Sequence, residues 1–306
     1  MKIAAKSNLA AHMAVIGANI IYGINYVVAK GIMPDYLQPR VIILMRVVAA
    51  MLVFWLVSSL FSNEKVDRKD FFMLLLCGVF GVAINQIMFF EGLNLTTPIN
   101  ASIIMVGVPI LVMIFSHFIL KDKITVRKMT GIILGFTGAA FLILSHGQLS
   151  FASGTFTGNI FILINASSYG LFLVLVKPLM KKYNPLTVMK WVFTFGLLFA
   201  APVSAPLLAK TDFAAIPFNI WMAIVYVIIF TTIVAYFLNN FSLTKISPVA
   251  NSSYIYLQPF LATLVSLLAG KDKLTWFEVV ASTLIFAGVY YVSSKPKKTV
   301  NFPIHK

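Results

Sequence analysis

Pro98 … Pro109 … Lys121-Asp122-Lys123-Ile124-Thr125 … Phe136-Thr137-Gly138 returns further along the chain as Pro248 … Pro259 … Lys271-Asp272-Lys273-Leu274-Thr275 … Phe286-Ala287-Gly288. The offset is a constant 150 residues, and Ser102/Ser252, Leu111/Leu261, Ser116/Ser266 and Leu134/Leu284 match at the same shift. Upstream, Tyr22-Gly23 … Lys30 recurs as Tyr169-Gly170 … Lys177, offset by 147. Coincidence does not hold one offset over so many positions, so the chain consists of two similar halves.

What fills the halves is apolar. Of 306 residues 60% are hydrophobic and 11% charged, against about 25% charged in a soluble domain. A soluble fold has nowhere to hide that much apolar surface, so the chain is embedded in a lipid bilayer. The net charge of +15 does not indicate a nucleic-acid partner, because the lysines fall in short loops between apolar segments and not on one face. A single cysteine, Cys77, allows no intrachain disulfide and no metal site of the CxxC kind. The first apolar segment lacks a small-residue cleavage site at the usual place and reads as a retained span.

Segments of roughly 20 residues, the length a spanning helix needs, run at about 10–31, 40–61, 70–92, 98–120, 128–146, 156–177, 186–208, 217–240, 248–270 and 275–294. Pro39, Pro98, Pro185, Pro217 and Pro248 stand at their starts, where the missing proline N–H has no helical partner to lose. Lys and Arg set the orientation. With the N-terminus inside, eighteen of the 24 fall on the cytoplasmic side and five outside, with Arg46 within the second span. Both termini are then cytoplasmic in a cell (inner) membrane, and the span count is even. Five spans per half force the halves to lie upside down relative to each other. The expected fold is therefore an all-α membrane protein, ten transmembrane helices in two inverted five-helix repeats, 8–146 and 155–294. Repeats of this kind build alternating-access transporters around a site at mid-bilayer.

Tyr22-Gly23-Ile24-Asn25 in the first span, Phe89-Phe90-Glu91-Gly92-Leu93-Asn94-Leu95-Thr96-Thr97-Pro98-Ile99-Asn100-Ala101-Ser102 … Pro109 across the third and fourth, Asp122-Lys123-Ile124-Thr125 and the Gly131, Gly135, Gly138 ladder resemble the drug/metabolite transporter superfamily, in particular its EamA-like exporters. Asp122 and Asp272 stand where that family usually carries Glu. The resemblance covers about 10–293. It implies the ten-helix fold and export of amino acids or other small metabolites, without choosing among them.

Polar residues gather in repeat-related spans: Asn19, Tyr22 and Asn25 in the first, Asn165, Ser167, Ser168 and Tyr169 in the sixth, Asn251 to Tyr254, Tyr256 and Gln258 in the ninth, with Asn85 and Gln86 in the third. Polar groups in lipid are costly, so they face other helices or water. Any one of them taken alone is better read as an interhelical hydrogen bond; together they outline a central cavity. The expected substrate-binding set is Asn19, Tyr22, Asn25, Asn85, Gln86, Met105, Pro109, Ser168, Tyr169, Tyr254, Gln258 and Pro259. Pro109 and Pro259 break a backbone hydrogen bond in mid-span and either shape the cavity or simply kink the packing. Gly131, Gly135 and Gly138 permit close helix approach, expected against the tenth span. Arg46 and Glu91, placed at the outer vestibule, form an ion pair, bind the charged ends of a zwitterion, or snorkel separately.

No acidic residue lies at a span centre, which argues against a cationic-drug pump and leaves no evident carboxylate for proton coupling. His12, His117, His146 and His305 are scattered with no carboxylate beside them, so no catalytic or metal constellation forms and no cofactor is expected. No phosphate-cradling Gly-rich loop is present. The leading reading is a secondary carrier of neutral or zwitterionic metabolites, a monomer or weak homodimer whose partners are its small-molecule substrate and the lipid. The alternative is a nucleotide-sugar or sugar-phosphate antiporter, which calls for several central cations.

Overall fold

The computed structural model describes residues 2–62, 64–145, 153–268 and 276–293. The second Lys-Asp-Lys-Leu-Thr copy at 271–275, His146, His305 and the basic C-terminal residues lie outside the described residues. Ten helical segments follow one another, with no strand among the described residues. They are α1 (Lys2–Ile32), α2 (Pro39–Phe61), α3 (Arg68–Leu95), α4 (Pro98–Leu120), α5 (Val126–Ser145), α6 (Ser153–Lys182), α7 (Pro185–Leu208), α8 (Phe218–Leu243), α9 (Pro248–Ser253, continuing to Leu257–Leu268) and α10 (Trp276–Ser293). Seven of them are long and apolar enough to cross a membrane unaided by any further argument. The prolines do what their positions demand. Pro98 and Pro248 open α4 and α9 immediately after Thr97 and Ser247, whose hydroxyls accept hydrogen bonds from Asn100 N and Ala250 N. Both N-caps recur at the repeat offset.

The glycine ladder fixes how the halves are related. Gly131 of α5 faces Gly288, Tyr291 and Val292 of α10, whereas Gly138 faces Ala281, Leu284 and Ile285. The helices are therefore antiparallel. Gly131 is equivalent to Ala281 and Gly138 to Gly288 at the 150-residue offset, so the two contacts exchange under a two-fold rotation. The repeats are inverted. The same rotation relates the packing of α3 on α6 to that of α8 on α1, and α4 on α6 to α9 on α1. The bundle thus has two swapped cores, α1 with α8 and α9, and α6 with α3 and α4.

Lys30 and Lys177, the lysines of the upstream echo, tie these cores together. Lys30 Nζ donates to the carbonyls of Leu93 (2.9 Å), Asn94 (2.8 Å) and Thr96 (3.2 Å) at the end of α3. Lys177 Nζ donates to Leu243 and Ile246 (2.7 Å) at the end of α8. Leu93 and Thr96 map onto Leu243 and Ile246 at the offset of 150. Each lysine caps the carbonyls that a helix C-terminus leaves unpaired, one at each face of the bundle. Lys177 is 8% exposed, and a buried hydrogen bond to a charged group contributes about 1.5–3 kcal/mol. Lys177→Met, which keeps the stem and removes the cap, is expected to lower unfolding free energy in detergent by about 2 kcal/mol; an unchanged denaturation midpoint would contradict the capping role.

On the face that carries Lys177, the α2–α3 loop is held by α6. Lys182 pairs with Asp67 and Asp70, and Tyr183 donates to Asp70 at 2.6 Å. The hydrogen bond from Lys182, together with its charge, holds the Asp67 carboxyl below its ordinary value. A carboxyl lowered in the folded state stabilises above its unfolded value of about 3.9 and loses that contribution as pH falls through the folded one. Melting temperature is therefore expected to be flat around neutral pH, where the clamp contributes in full, and to fall slightly below about pH 4 as that contribution is lost. Lys182→Met removes that part of the acid limb.

Candidate functional site

A cavity lies on the pseudo-two-fold axis. Three repeat-related pairs line it: Tyr22 with Tyr169, Gln86 with Tyr236, and Met105 with Ile255. Asn25 and Tyr26 of α1, Arg46 of α2, Asn85, Phe89 and Phe90 of α3, Asn165 of α6 and Gln258 of α9 complete the wall. The atom-free space is about 580 Å³, counting the part open to solvent. Asn25, Gln86, Tyr169 and Gln258, the amides and hydroxyls that a lipid-facing arrangement would have to solvate, all face inward.

Interrupted helices build this wall. In α4 the helix breaks at Gly107, between Val106 and Val108; in α9 a tight 3₁₀ turn spans Tyr254–Tyr256. A helical Pro109 or Pro259 cannot donate to the carbonyl four residues back, which is that of Met105 or Ile255. The breaks fall within two residues of these, and both side chains line the cavity. The prolines act from behind the wall and are not part of it. In α3 and α8 the helix widens into π turns, Val79–Ala83 and Val227–Val234, again at corresponding places. Side chains from other helices hold the first: Ser168 donates to Phe80 O at 2.5 Å, Tyr236 lies 3.0 Å from Gly81 O and 3.1 Å from Asn85 Oδ1, and Asn165 donates to Asn85 O at 2.7 Å. In the second, Thr232 Oγ1 donates to Val227 O at 2.9 Å and accepts from Arg46 Nε at 2.6 Å.

That last bond corrects the expected placement of Arg46. It does not pair with Glu91 at a vestibule. Glu91 meets Arg40 at 2.6 Å at the start of α2, the shallower arginine and the one less costly to bring to a carboxylate in partial water. Arg46 lies six residues further along α2, about 9 Å deeper, with its guanidinium 4.4 Å from the Phe90 ring centre. It is 4% exposed and pairs with no carboxylate among the described residues. Val192 and Phe193, its counterparts 146 and 147 positions on, carry no charge, and among the described residues Arg46 is the one cation that lines the cavity.

Five of the expected substrate-binding residues stand outside the wall. Asn19 Oδ1 accepts from Gln258 Nε2 at 2.8 Å and so orients a wall residue. Ser168 is spent on the π turn. Tyr254 lies 2.7 Å from His12 Nδ1, on the side where the cavity is shut. Pro259 sits behind Ile255, as Pro109 does behind Met105. Shutting is asymmetric: Pro248–Ser253 is wholly buried and packs on Val108–Leu120. No comparable packing of Pro98–Val106 on Leu257–Leu268 occurs among the described residues. Among the wall members without a repeat mate, Tyr26, Phe89 and Phe90 stand near the ends of α1 and α3 that Lys30 ties together, next to the start of α4 on that second side.

A profile of the EamA-like transporter family matches residues 9–144 and again 156–294. The chain belongs to the EamA-like transporter family. Each match is one five-helix repeat. The uncharacterized transporter YetK of Bacillus subtilis is 24% identical over 297 residues, covering 97% of this chain and 88% of that one. YyaM of the same organism is 26% identical over 254 residues, 80% of each chain. An uncharacterized transporter of Archaeoglobus fulgidus is 26% identical over 235 residues, 76% of this chain and 79% of that one. A solved crystal structure with 16% identity superposes at a TM-score of 0.72 over 94% of this chain and 97% of its own, a likeness of fold. The protein is a multi-pass membrane transporter, not an enzyme.

In this EamA-like transporter the sequence alone did not single out Tyr26, Phe89, Phe90, Tyr236 and Ile255, and left Asn165 within a general polar set. Two were within reach: Tyr236 and Ile255 are the counterparts of Gln86 and Met105 at the 150-residue offset, and a wall residue near a two-fold axis brings its mate.

Proposed function

We propose that this transporter is a secondary carrier of small zwitterionic metabolites, amino acids or close relatives, moved through the inner membrane by alternating access, with both termini cytoplasmic. The observation that carries the reading is Arg46: one buried guanidinium facing a cavity whose wall, among the described residues, contains no carboxylate. A buried cation without a counter-ion is costly, and a substrate carboxylate relieves that cost with a charge-assisted bond. Tyrosine rings and amide oxygens around it suit the uncharged or cationic remainder of such a molecule. A nucleotide sugar or sugar phosphate brings two or more negative charges and is served poorly by a single cation. With no carboxylate in the wall, transport runs on the substrate's own gradient. Alternating access follows from the inverted repeats: the α4–α9 contact that closes one side has a two-fold counterpart that closes the other. A monomer in lipid suffices, since the cavity is built from one chain.

Flux into proteoliposomes tests this, with a panel of amino acids, sugar phosphates and nucleotide sugars, each with and without a pH gradient. The expected result is amino-acid flux indifferent to the gradient. Sugar-phosphate exchange without any amino-acid movement would replace the reading.

A further inference from the structure

Asn165 is 2% exposed and lines the cavity. Its orientation is fixed, because Nδ2 donates to Asn85 O at 2.7 Å and turning the amide over would set two acceptors against each other. That leaves Oδ1 inside, buried and without a hydrogen-bond partner among the described residues. Asn25 Oδ1, in the same wall, is likewise buried without a partner. A buried amide oxygen with no donor carries a penalty comparable to a lost hydrogen bond. Within a functional site, such a vacancy marks where a ligand supplies the donor.

We infer that Asn165 Oδ1, assisted by Asn25 Oδ1, is the subsite that reads a hydrogen-bond-donating amine on the substrate, and that it sets the carrier's preference for amino acids over the matching hydroxy acids. An ammonium has three donors and no acceptor, so it can serve both oxygens at once; a hydroxyl has one donor and leaves the other oxygen unpaired. The Tyr22 and Tyr169 rings in the same wall favour a cation further. Arg46 and Asn165 divide the work: one holds the negative end, the other tests for the amine. This inference rests on the zwitterion reading given above and adds the residue that enforces it.

The test is competition in proteoliposomes of the full chain, using leucine against its α-hydroxy acid and γ-aminobutyrate against γ-hydroxybutyrate. The wild type is expected to prefer an amine by roughly tenfold or more, because sites built to hydrogen-bond a substrate group discriminate strongly against its loss. Asn165→Leu is expected to bring the ratio near one, and Asn25→Leu to reduce it. A merely structural loss would slow amine and hydroxy acid alike and leave the ratio standing. The wild-type ratio requires no variant to fold. Equal transport of amine and hydroxy acid by the wild type overturns the inference and leaves the carboxylate reading in place, whereas movement of neither overturns both.

Discussion

Replacing Arg46 by glutamine is expected to lower affinity for carboxylate-bearing substrates at least thirtyfold and, at the same time, to stabilise the protein. The two effects share one cause. Truncating one partner of a buried, hydrogen-bonded charge pair costs about 2–5 kcal/mol, and under the proposed function that partner in the loaded carrier is the substrate's carboxylate. In the empty carrier the guanidinium is buried, with one bond to Thr232 and a face-on contact to Phe90, and its charge is unpaid. A neutral amide of similar reach removes that desolvation burden, so the denaturation midpoint rises as transport falls. Binding measured by calorimetry and stability measured by denaturation on the same preparation decide the matter. A variant that loses both stability and affinity would make Arg46 a structural residue, with its charge satisfied inside the protein.

Gly288→Val is expected to be the most disruptive substitution in the fold. A Cβ at Gly288 would stand 2.5 Å from Gly135 N and 2.6 Å from Gly131 O. Both obstacles are backbone, so no side chain can swing away, and α5 and α10 must separate along their antiparallel seam. Overpacking of a well-fitted interior costs about 1–3 kcal/mol, and a backbone clash lies at or beyond the upper end. In lipid there is little hydrophobic force to hold the separated helices together, because their association depends on this close fit. Gly31→Ala is the control: nothing stands within 4 Å of the added methyl, and Ala is the better helix former by about 1 kcal/mol. Gly288→Val is expected to unfold in milder detergent or at lower temperature, and Gly31→Ala to match or exceed the wild type. Equal stability of both variants would mean that the seam is looser than its geometry.

Much of this architecture was legible because duplication leaves a signal that needs no structure. The 150-residue offset, the ten apolar segments and the lysine distribution are features of order along the chain, and the glycine ladder packs where an inverted repeat requires it. The proline kinks were legible too, since the lost backbone donor is a property of the residue itself; that Met105 and Ile255, and not the prolines, would face the cavity follows from counting four residues back. What could not be read was which side of each helix looks inward. Asn19, Ser168 and Tyr254 are as polar as the wall residues yet are spent on Gln258, Phe80 O and His12. The π turns shift the face of α3 and α8 without any marker residue, and that shift brings Tyr236 into the wall and seats Arg46 on Thr232. Depth misled as well: Arg40 and Arg46 lie six residues apart on one helix, and only three-dimensional position assigns Glu91 to the shallower of them.

The central claim, one cavity at mid-bilayer reached in turn from both faces, is tested most directly by a single reporter thiol. Ile255→Cys in a Cys77→Ser background places the only thiol in the cavity wall, and a membrane-impermeant thiol reagent is added to either side of sealed vesicles of known orientation. The account predicts modification from both sides, faster from the side on which α4 and α9 stand apart, with a saturating amino acid slowing both. Modification from one side alone under every condition, or from neither, would contradict it.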